Sequence, residues 1–295
     1  MTLRIVITGK DGQIVSALKE PAAAEDDIEL VTIGRPEFDL AQPGTIEEAI
    51  RHADPDVIIS AAAYTAVDKA EAEADLAQVI NGAAPGELAR VARLLNVPLL
   101  HLSTDYVFDG TKDSPYTEED PTGPVSAYGR SKLAGEHAIA AATDNYVILR
   151  TAWVYSPFGS NFVKTMLRLA ETRDRLDIVA DQRGCPTYAL EIAHVLLLIA
   201  RQVVTDPDPT LRGIFHLTAP NDASWAEFAE AILTGLEKRT GRHVTVNPIP
   251  SSQYPTPARR PANSRLSGEK LLEIFGLQLD PWRISLDSCL DRLIG

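Results

Sequence analysis

Long apolar runs and cysteines are both scarce in this chain. No uninterrupted apolar run reaches the ~18 residues that a membrane helix needs, and no basic, apolar leader opens the sequence. We therefore expect a cytoplasmic protein that neither spans a membrane nor is secreted. Its two cysteines, Cys185 and Cys289, have no cysteine or histidine at metal-binding spacing, which fits a reducing compartment and predicts no zinc site. The six histidines are equally scattered, so we assign no metal site.

Positive charge is also in short supply. The chain has 28 lysines and arginines against 41 aspartates and glutamates, a net charge of -13. This excess of negative charge argues against nucleic acid and anionic membrane surfaces as partners, because both carry negative charge themselves. Any anionic ligand must instead be bound by locally placed basic groups.

The first residues predict a strand, a glycine turn and a helix. An apolar run at 3–7 is followed by Gly9 and Gly12, and then by a segment compatible with a helix. Gly9 permits a sharp turn, and Gly12 lets the backbone approach a pyrophosphate at the start of the helix. The third position of this fingerprint holds Val15 instead of glycine. By itself the pattern fits either a dinucleotide site or an ordinary strand-helix turn.

The second predicted strand, 28–33, ends in Gly34 and Arg35, where many NAD-binding folds place an acidic residue on the ribose. A guanidinium can pair with a 2′-phosphate, so the sequence favours NADPH over NADH. Arg35 as a solvated loop residue is the alternative, and NADH stays open as the cofactor. Asp39 and Leu40 follow at a position suited to the adenine.

Strands and helices alternate over the first half of the chain, which predicts an α/β fold with a doubly wound parallel sheet of the Rossmann type. We expect this dinucleotide-binding domain to cover residues 1–155, with returning elements from about 185 to 217. Residues 156–184 and 218–295 would mainly form a smaller C-terminal α/β lobe for the substrate. Further strands are predicted at 57–60, 97–102, 146–150 and 213–217, further helices at 83–92, 161–170 and 192–204, and a turn at 181–187.

Tyr128 and Lys132 stand four residues apart in a segment compatible with a helix, so they share one helix face. A tyrosine titrates at about 10, and a nearby ammonium would lower that pKa and make the phenol a usable acid or base. Thr104 adds a hydroxyl at the end of a predicted strand. Such pairs are common in proteins, so the catalytic interpretation depends on the dinucleotide signal at the N-terminus.

Two further features have both a structural and a functional interpretation. Arg259 and Arg260 lie in a proline-rich loop at 254–264 and are either solvated or suited to a diphosphate. Trp153 follows a predicted strand and is either core packing or a platform for a sugar or base.

The segments 9–12, 61–71, 103–110, 128–132 and 254–264 together resemble the dTDP-4-dehydrorhamnose reductases, over essentially the whole chain. The glycine and Tyr-x-x-x-Lys motifs mark only the extended short-chain dehydrogenase/reductase superfamily. The runs at 63–69 and 257–264 are much narrower and favour this particular family.

The resemblance implies reduction of the C4 ketone of dTDP-4-dehydro-6-deoxy-L-mannose to dTDP-L-rhamnose, a nucleotide sugar for surface polysaccharide. Tyr128 would donate the proton, Thr104 would hydrogen-bond the same oxygen, and Lys132 would hold the nicotinamide ribose. The family pattern places Gly12, Gln13 and Ile14 at the pyrophosphate, Asp39 and Leu40 at the adenine, Ala63, Tyr64 and Thr65 at the ribose and nicotinamide, Thr104, Asp105 and Trp153 at the sugar, and Arg260 and Asn263 at the diphosphate or nucleoside.

The chain also departs from the family pattern. Ser60 replaces a frequent asparagine, and Ala17 stands where some members offer a carboxylate to a magnesium ion that bridges a dimer. A magnesium site is therefore not assigned, although Glu191 and Asp291 are acidic candidates and a homodimer stays open. Another nucleotide-sugar short-chain reductase, an epimerase or a dehydratase would use the same Tyr-Lys pair, so these activities are alternatives. Asp105, directly after Thr104, could supply the carboxylate that a dehydratase needs. A non-catalytic regulatory subunit is the alternative from a different class.

Overall fold

The computed structural model describes residues 2–295, which form twelve strands and eleven α-helices. The strands are β1 (Leu3–Thr8), β2 (Ile28–Ile33), β3 (Val57–Ser60), β4 (Leu99–Thr104), β5 (Tyr146–Thr151), β6 (Val154–Tyr155), β7 (Arg175–Val179), β8 (Arg183–Gly184), β9 (Thr187–Tyr188), β10 (Gly213–His216), β11 (Ala223–Ser224) and β12 (Thr245–Ile249). The helices are α1 (Gln13–Ala23), α2 (Ile46–Ala53), α3 (Val67–Ala70), α4 (Ala74–Gln78), α5 (Ala84–Leu95), α6 (Ala127–Ala142), α7 (Phe162–Ala170), α8 (Ala189–Thr205), α9 (Trp225–Thr240), α10 (Glu269–Phe275) and α11 (Trp282–Ile294). A π-helical turn (Val79–Ala83) joins α4 to α5, and a 3-10 turn (Asp105–Val107) follows β4.

Six parallel strands form the central sheet in the order β10-β5-β4-β3-β1-β2. Strands β3 and β4 are buried along their whole length, as expected for a parallel sheet covered by helices on both faces. Helices α1 and α8 pack on one face, and α2, α5 and α6 pack on the other. The predicted Rossmann-type sheet is confirmed.

The strand order reverses beside β1, which pairs with β2 on one side and with β3 on the other. In an open parallel sheet, ligands bind in the crevice outside the carboxyl ends of the strands at such a reversal. The turn after β1 and the segment after β3 therefore lie at the place where the fold favours a dinucleotide.

The C-terminal elements build a smaller lobe beside this crevice. Strands β7 and β12 pair in parallel, and α7, α9 and α11 pack together next to them. Ser224 and Glu227 form a reciprocal capping box that fixes the start of α9. The apolar core continues from one face of the sheet into this lobe through Phe228 and Trp282, which meet edge to face.

The predicted strands and helices occur within three residues of their predicted bounds, and two of the differences have a structural reason. Strand β4 begins at Leu99, two residues later than predicted, after Pro98, which has no amide to donate to the sheet. The predicted turn at 181–187 is only partly a turn, because β8 pairs with β11, and Thr187 begins β9, which pairs with β6. Within residues 2–295, no helix is both long and apolar enough to cross a membrane.

Candidate active site

The turn after β1 is built as the glycine pattern predicts. Gly9 has a φ of +106°, a backbone conformation that only glycine adopts without strain. A Cβ at Gly9 would lie 3.2 Å from Cγ2 of Val15, so the valine at the third fingerprint position packs directly against this glycine. Gly12 begins α1 without a capping side chain, which leaves the first amides of the helix available to an anion.

The segment after β3 is held in place from two sides. Thr8 Oγ1 accepts hydrogen bonds from the amides of Ala61 (3.0 Å) and Ala62 (2.9 Å). Asn81, in the π-helical turn, accepts from the amide of Tyr64 through Oδ1 (2.8 Å) and donates through Nδ2 to the Tyr64 carbonyl (3.0 Å). These bonds fix the backbone between Ala61 and Tyr64 at the edge of the crevice.

A cavity of ≈ 680 Å³ opens between these two segments and brings most of the predicted cofactor residues together. Its lining includes Gly9, Gly12, Arg35, Asp39, Leu40, Ala63 and Tyr64. Thr65 is exposed nearby.

Gln13 and Ile14, predicted at the pyrophosphate, have other contacts. Gln13 faces the C-terminal lobe, where its Oε1 accepts from Ser156 Oγ (2.7 Å) and from Asn161 Nδ2 (2.9 Å). The side chain of Ile14 packs against the apolar core. Only the backbone amides of these two residues can then serve an anion at the start of α1.

Lys10 is a basic residue of this cavity that the sequence analysis did not identify. Its Nζ donates to the Arg35 carbonyl (2.9 Å) and to Glu37 Oε2 (3.0 Å), and both Lys10 and Arg35 line the cavity. The signal was available, because Lys10 lies between the two glycines of the fingerprint. Two basic residues therefore line the cavity near the end of β2, and Glu37 offsets part of the charge of Lys10.

Thr104 and Tyr128 meet at the carboxyl end of β4. Thr104 Oγ1 donates to Asp105 Oδ1 (2.9 Å) and accepts from the amide of Tyr106 (3.2 Å). Tyr128 lies in the first turn of α6, which Ser126 caps by accepting from an amide. Burial raises the pKa of Tyr128 to about 12, although a hydrogen bond with the Thr104 hydroxyl lowers it in part.

Lys132 is buried one helical turn further along α6. Its Nζ donates to the Leu102 carbonyl (2.7 Å) and lies 3.0 Å from His101 Nε2. Burial lowers the pKa of Lys132 to about 8. The expectation that Lys132 lowers the pKa of Tyr128 is wrong, because burial of the phenol dominates that pKa while the ammonium is engaged with β4.

Two glycines let α6 pack closely enough to bring these groups together. A Cβ at Gly129 would lie 2.2 Å from the Tyr106 carbonyl oxygen, and one at Gly135 would lie 2.1 Å from that of Asn81. Both neighbours are backbone atoms, so any side chain at either position would force the helix away from β4 and the π-helical turn.

Asp105 adds a buried carboxyl group beside Thr104. It is 3% exposed, and its Oδ2 has no hydrogen-bond partner within residues 2–295. Burial raises the pKa of Asp105 to about 6, although the hydrogen bond from Thr104 lowers it in part. The group is thus an acceptor at neutral pH with a free oxygen for a ligand hydroxyl.

The remaining predicted substrate residues occupy the boundary with the C-terminal lobe. Trp153 has a φ of +46° and stacks on Trp225 with ring centroids 3.4 Å apart. Arg260 forms a two-pronged ion pair with Asp68, at 2.8 and 3.1 Å. Asn263 donates to the carbonyls at positions 112 and 114, so its amide holds the loop together.

The acidic candidates for a magnesium site do not converge. Glu191 accepts a hydrogen bond from Ser285, and burial raises its pKa to about 7. Asp291 instead pairs with Arg239 on α9. No group of three or more potential metal ligands occurs among the described residues.

A parallel sheet with a glycine turn at its reversal, and a Tyr-x-x-x-Lys helix beside a strand-end threonine, define an extended short-chain dehydrogenase/reductase. The family model described as "RmlD substrate binding domain" matches residues 3–294. The chain is 54% identical to the dTDP-4-dehydrorhamnose reductase of Sinorhizobium fredii, over 96% of this chain and 95% of that one. It therefore belongs to the dTDP-4-dehydrorhamnose reductase family, and the predicted family is confirmed.

Solved structures agree with this assignment. The dTDP-4-dehydrorhamnose reductase ortholog of Clostridium acetobutylicum superposes with a TM-score of 0.90 at 36% identity, and the comparison covers 99% of each chain. The Bacillus anthracis enzyme, solved in complex with NADP, gives a TM-score of 0.91 at 32% identity and covers 99% of this chain and 100% of that one. The shared fold includes both the Rossmann-type sheet and the C-terminal lobe.

Proposed function

We propose that the chain reduces the C4 ketone of dTDP-4-dehydro-6-deoxy-L-mannose to dTDP-L-rhamnose, with NADPH as the preferred reductant. The observation that carries this proposal is that Tyr128 lies beside Thr104 at the carboxyl end of β4, while Lys132, one turn further along α6, is bound to the same strand. The product would be an activated sugar for surface polysaccharide.

The cofactor supplies a hydride to the carbonyl carbon, and the protein must then handle the charge left on the oxygen. Tyr128 donates its proton to that oxygen, and a pKa of about 12 keeps the phenol protonated before the step. The Thr104 hydroxyl turns from Asp105 to hydrogen-bond the same oxygen. The free Oδ2 of Asp105 accepts from a neighbouring sugar hydroxyl.

The two lobes divide the binding. Residues 1–155, with the elements from about 185 to 217, bind the cofactor, and residues 156–184 and 218–295 mainly bind the nucleotide sugar. A second cavity of ≈ 370 Å³ supports this division, because Phe162, Met166, Trp225, Tyr254 and Arg260 line it. Aromatic and apolar walls suit the thymine base, and the Arg260 guanidinium suits the diphosphate. Asn263 acts by shaping the loop that carries Arg260.

The proposed preference for NADPH is supported by Lys10 and Arg35, two basic residues that line the cofactor cavity, with Lys10 paired to Glu37. Arg35→Ala should lower the ratio of kcat/KM for NADPH to that for NADH by about tenfold, since a hydrogen bond to a charged group contributes ~1.5–3 kcal/mol. Arg51→Ala, which changes an exposed arginine on α2, is the matched control. An unchanged ratio in Arg35→Ala would remove this residue from the proposal.

The deciding experiment follows the loss of NADPH absorbance with the sugar substrate generated in situ, for the wild-type chain and for Tyr128→Phe. We expect oxidation that requires the sugar and falls by about 10²–10⁴-fold in the variant. Tyr146→Phe on β5 is the matched control, because it removes a phenol outside the site. Tight cofactor binding without net oxidation in the wild type would instead favour an epimerase, a dehydratase or a regulatory subunit.

A further inference from the structure

His101 is a buried polar residue in the middle of β4 for which the proposed reaction has no role so far. Its side chain is 1% exposed, and both ring nitrogens have partners. Nδ1 lies 3.0 Å from Ser60 Oγ at the end of β3, and Nε2 lies 3.0 Å from Lys132 Nζ. The imidazole thus connects two neighbouring strands to the catalytic helix.

The partners fix the protonation of this ring. Burial and the nearby Lys132 charge hold the pKa of His101 well below its usual range, so the imidazole is neutral. An ammonium can only donate, so Nε2 must be the acceptor and Nδ1 must carry the proton. The Nδ1–H group then donates to Ser60 Oγ, which holds the ring in the tautomer that Lys132 needs.

The ammonium of Lys132 has three N–H groups. One goes to the Leu102 carbonyl and one goes to His101, which leaves a single N–H without a partner from the described protein groups. We propose that His101, oriented by Ser60, is a positioning residue that fixes the rotation of the Lys132 ammonium, so that its third N–H faces the nicotinamide ribose. The inference rests on the proposed function, in which Lys132 holds that ribose.

No charged side chain in residues 2–295 hydrogen-bonds Lys132 Nζ, whose partners are the neutral His101 ring and a backbone carbonyl. Glu136, on the same helix, is paired with Arg150 of β5 and raises the Lys132 pKa only through its charge. Asp105 and Tyr106 are on the turn after β4, where Asp105 bonds Thr104. Glu71, in the segment after β3, accepts a hydrogen bond from the first amide of α6 and not from Lys132. The direct contact with His101 is therefore the one to perturb.

Removing the contact between His101 and Lys132 should change the pKa of Lys132 in a predictable direction. Without an acceptor at His101, the buried ammonium is less stable, and the pKa of Lys132 falls below its present value of about 8. A lysine that must be protonated supports activity below its pKa and loses it as the pH rises. In His101→Leu, the alkaline limb of kcat/KM should therefore move to lower pH by about one unit, and NADPH should bind several-fold more weakly at neutral pH.

The test compares pH profiles of kcat/KM for the sugar-dependent oxidation of NADPH, together with NADPH affinity from fluorescence titration. His101→Gln keeps an acceptor and should retain the wild-type alkaline limb. Ser60→Ala removes the acceptor of the Nδ1–H group, so the tautomer of His101 is no longer fixed. The alkaline limb of kcat/KM should then shift in the same direction as in His101→Leu, but by a smaller amount. His137→Gln, on the exposed side of α6, is the matched control.

The outcomes separate this inference from the function on which it rests. A wild-type chain without sugar-dependent oxidation would contradict the proposed function itself. An active wild type whose alkaline limb stays fixed in both His101→Leu and Ser60→Ala would overturn the positioning role alone. If His101→Leu does not fold, Ser60→Ala decides: a downward shift supports the role, and an unchanged limb refutes it.

Discussion

Replacing Glu136 with glutamine would leave the Arg150 guanidinium buried without its counter-charge. Glu136 lies on α6, the helix that carries Tyr128 and Lys132, and its side chain is 1% exposed against 3% for Arg150. Its two carboxylate oxygens accept from Arg150 Nη2 (2.7 Å) and Nε (3.0 Å), and Ser103 Oγ donates to one of them. This pair thus joins the catalytic helix to β4 and β5.

The cost of the change follows from burial. Removing one partner of a buried ion pair costs ~3–5 kcal/mol, because the other charge stays out of water without compensation. Nη1 of Arg150 has no hydrogen-bond partner within residues 2–295, and the guanidinium's hydrogen bonds there all go to Glu136. Replacing both residues, in Glu136→Leu with Arg150→Met, should recover most of the loss, because two apolar side chains of similar volume need no counter-charge.

Urea unfolding followed by circular dichroism measures these free energies. The matched control is Glu29→Gln, which breaks an exposed pair with Arg4 and should cost at most about 1 kcal/mol. We expect Glu136→Gln to lose several times more than this control, and the double variant to lie between them. A Glu136→Gln protein within about 1 kcal/mol of wild type would refute the reasoning, since a buried, unpaired charge cannot be that inexpensive.

Three further changes test how the site is held. Thr8→Val leaves two amides just after β3 without an acceptor, which should cost ~1–3 kcal/mol for each and lower the Tm. Thr245→Val, at an exposed threonine of β12, is the comparison. Gly135→Ala should lower kcat in the steady-state assay because its Cβ would meet the backbone oxygen of Asn81, and unchanged kinetics would contradict the close packing. Asp68→Asn, which removes the counter-charge of the loop arginine, should raise KM for the sugar nucleotide more than KM for NADPH, and equal changes would argue against a substrate role for that loop.

The sheet was predictable because its signals are local. Strands β1, β2 and β3 are apolar runs bounded by glycine or polar turns. Burial of β3 and of most of β1 is what such runs indicate in a parallel sheet, whereas β2 is a partly exposed edge strand. Strands β8 and β9 have two residues each and depend on pairing with partners far along the chain. No local pattern encodes such pairings, so the sequence analysis described them as a turn.

The catalytic residues were also predictable from local sequence signals, whereas their pKa values were not. The four-residue spacing of Tyr128 and Lys132 places both on α6, and Thr104 ends β4 as expected. The direction of the Tyr128 pKa depends on burial by other parts of the chain, which spacing cannot reveal. His101 did leave a signal, since it is the one titratable residue in an otherwise apolar and hydroxyl-bearing strand.

Acidic side chains in the segment from Tyr64 to Glu73 bind three different parts of the site. Glu73 accepts from the hydroxyl of Tyr64 beside the cofactor cavity, and Glu71 accepts from the first amide of α6 (2.8 Å). Asp68 binds Arg260 in the loop that borders the second cavity. Three acids thus tie the cofactor edge, the catalytic helix and the substrate loop to one connector. If this segment moves as a unit, binding of the cofactor and binding of the nucleotide sugar both depend on its position. Each ligand then changes the affinity for the other by the same factor, so the two binding sites are energetically coupled.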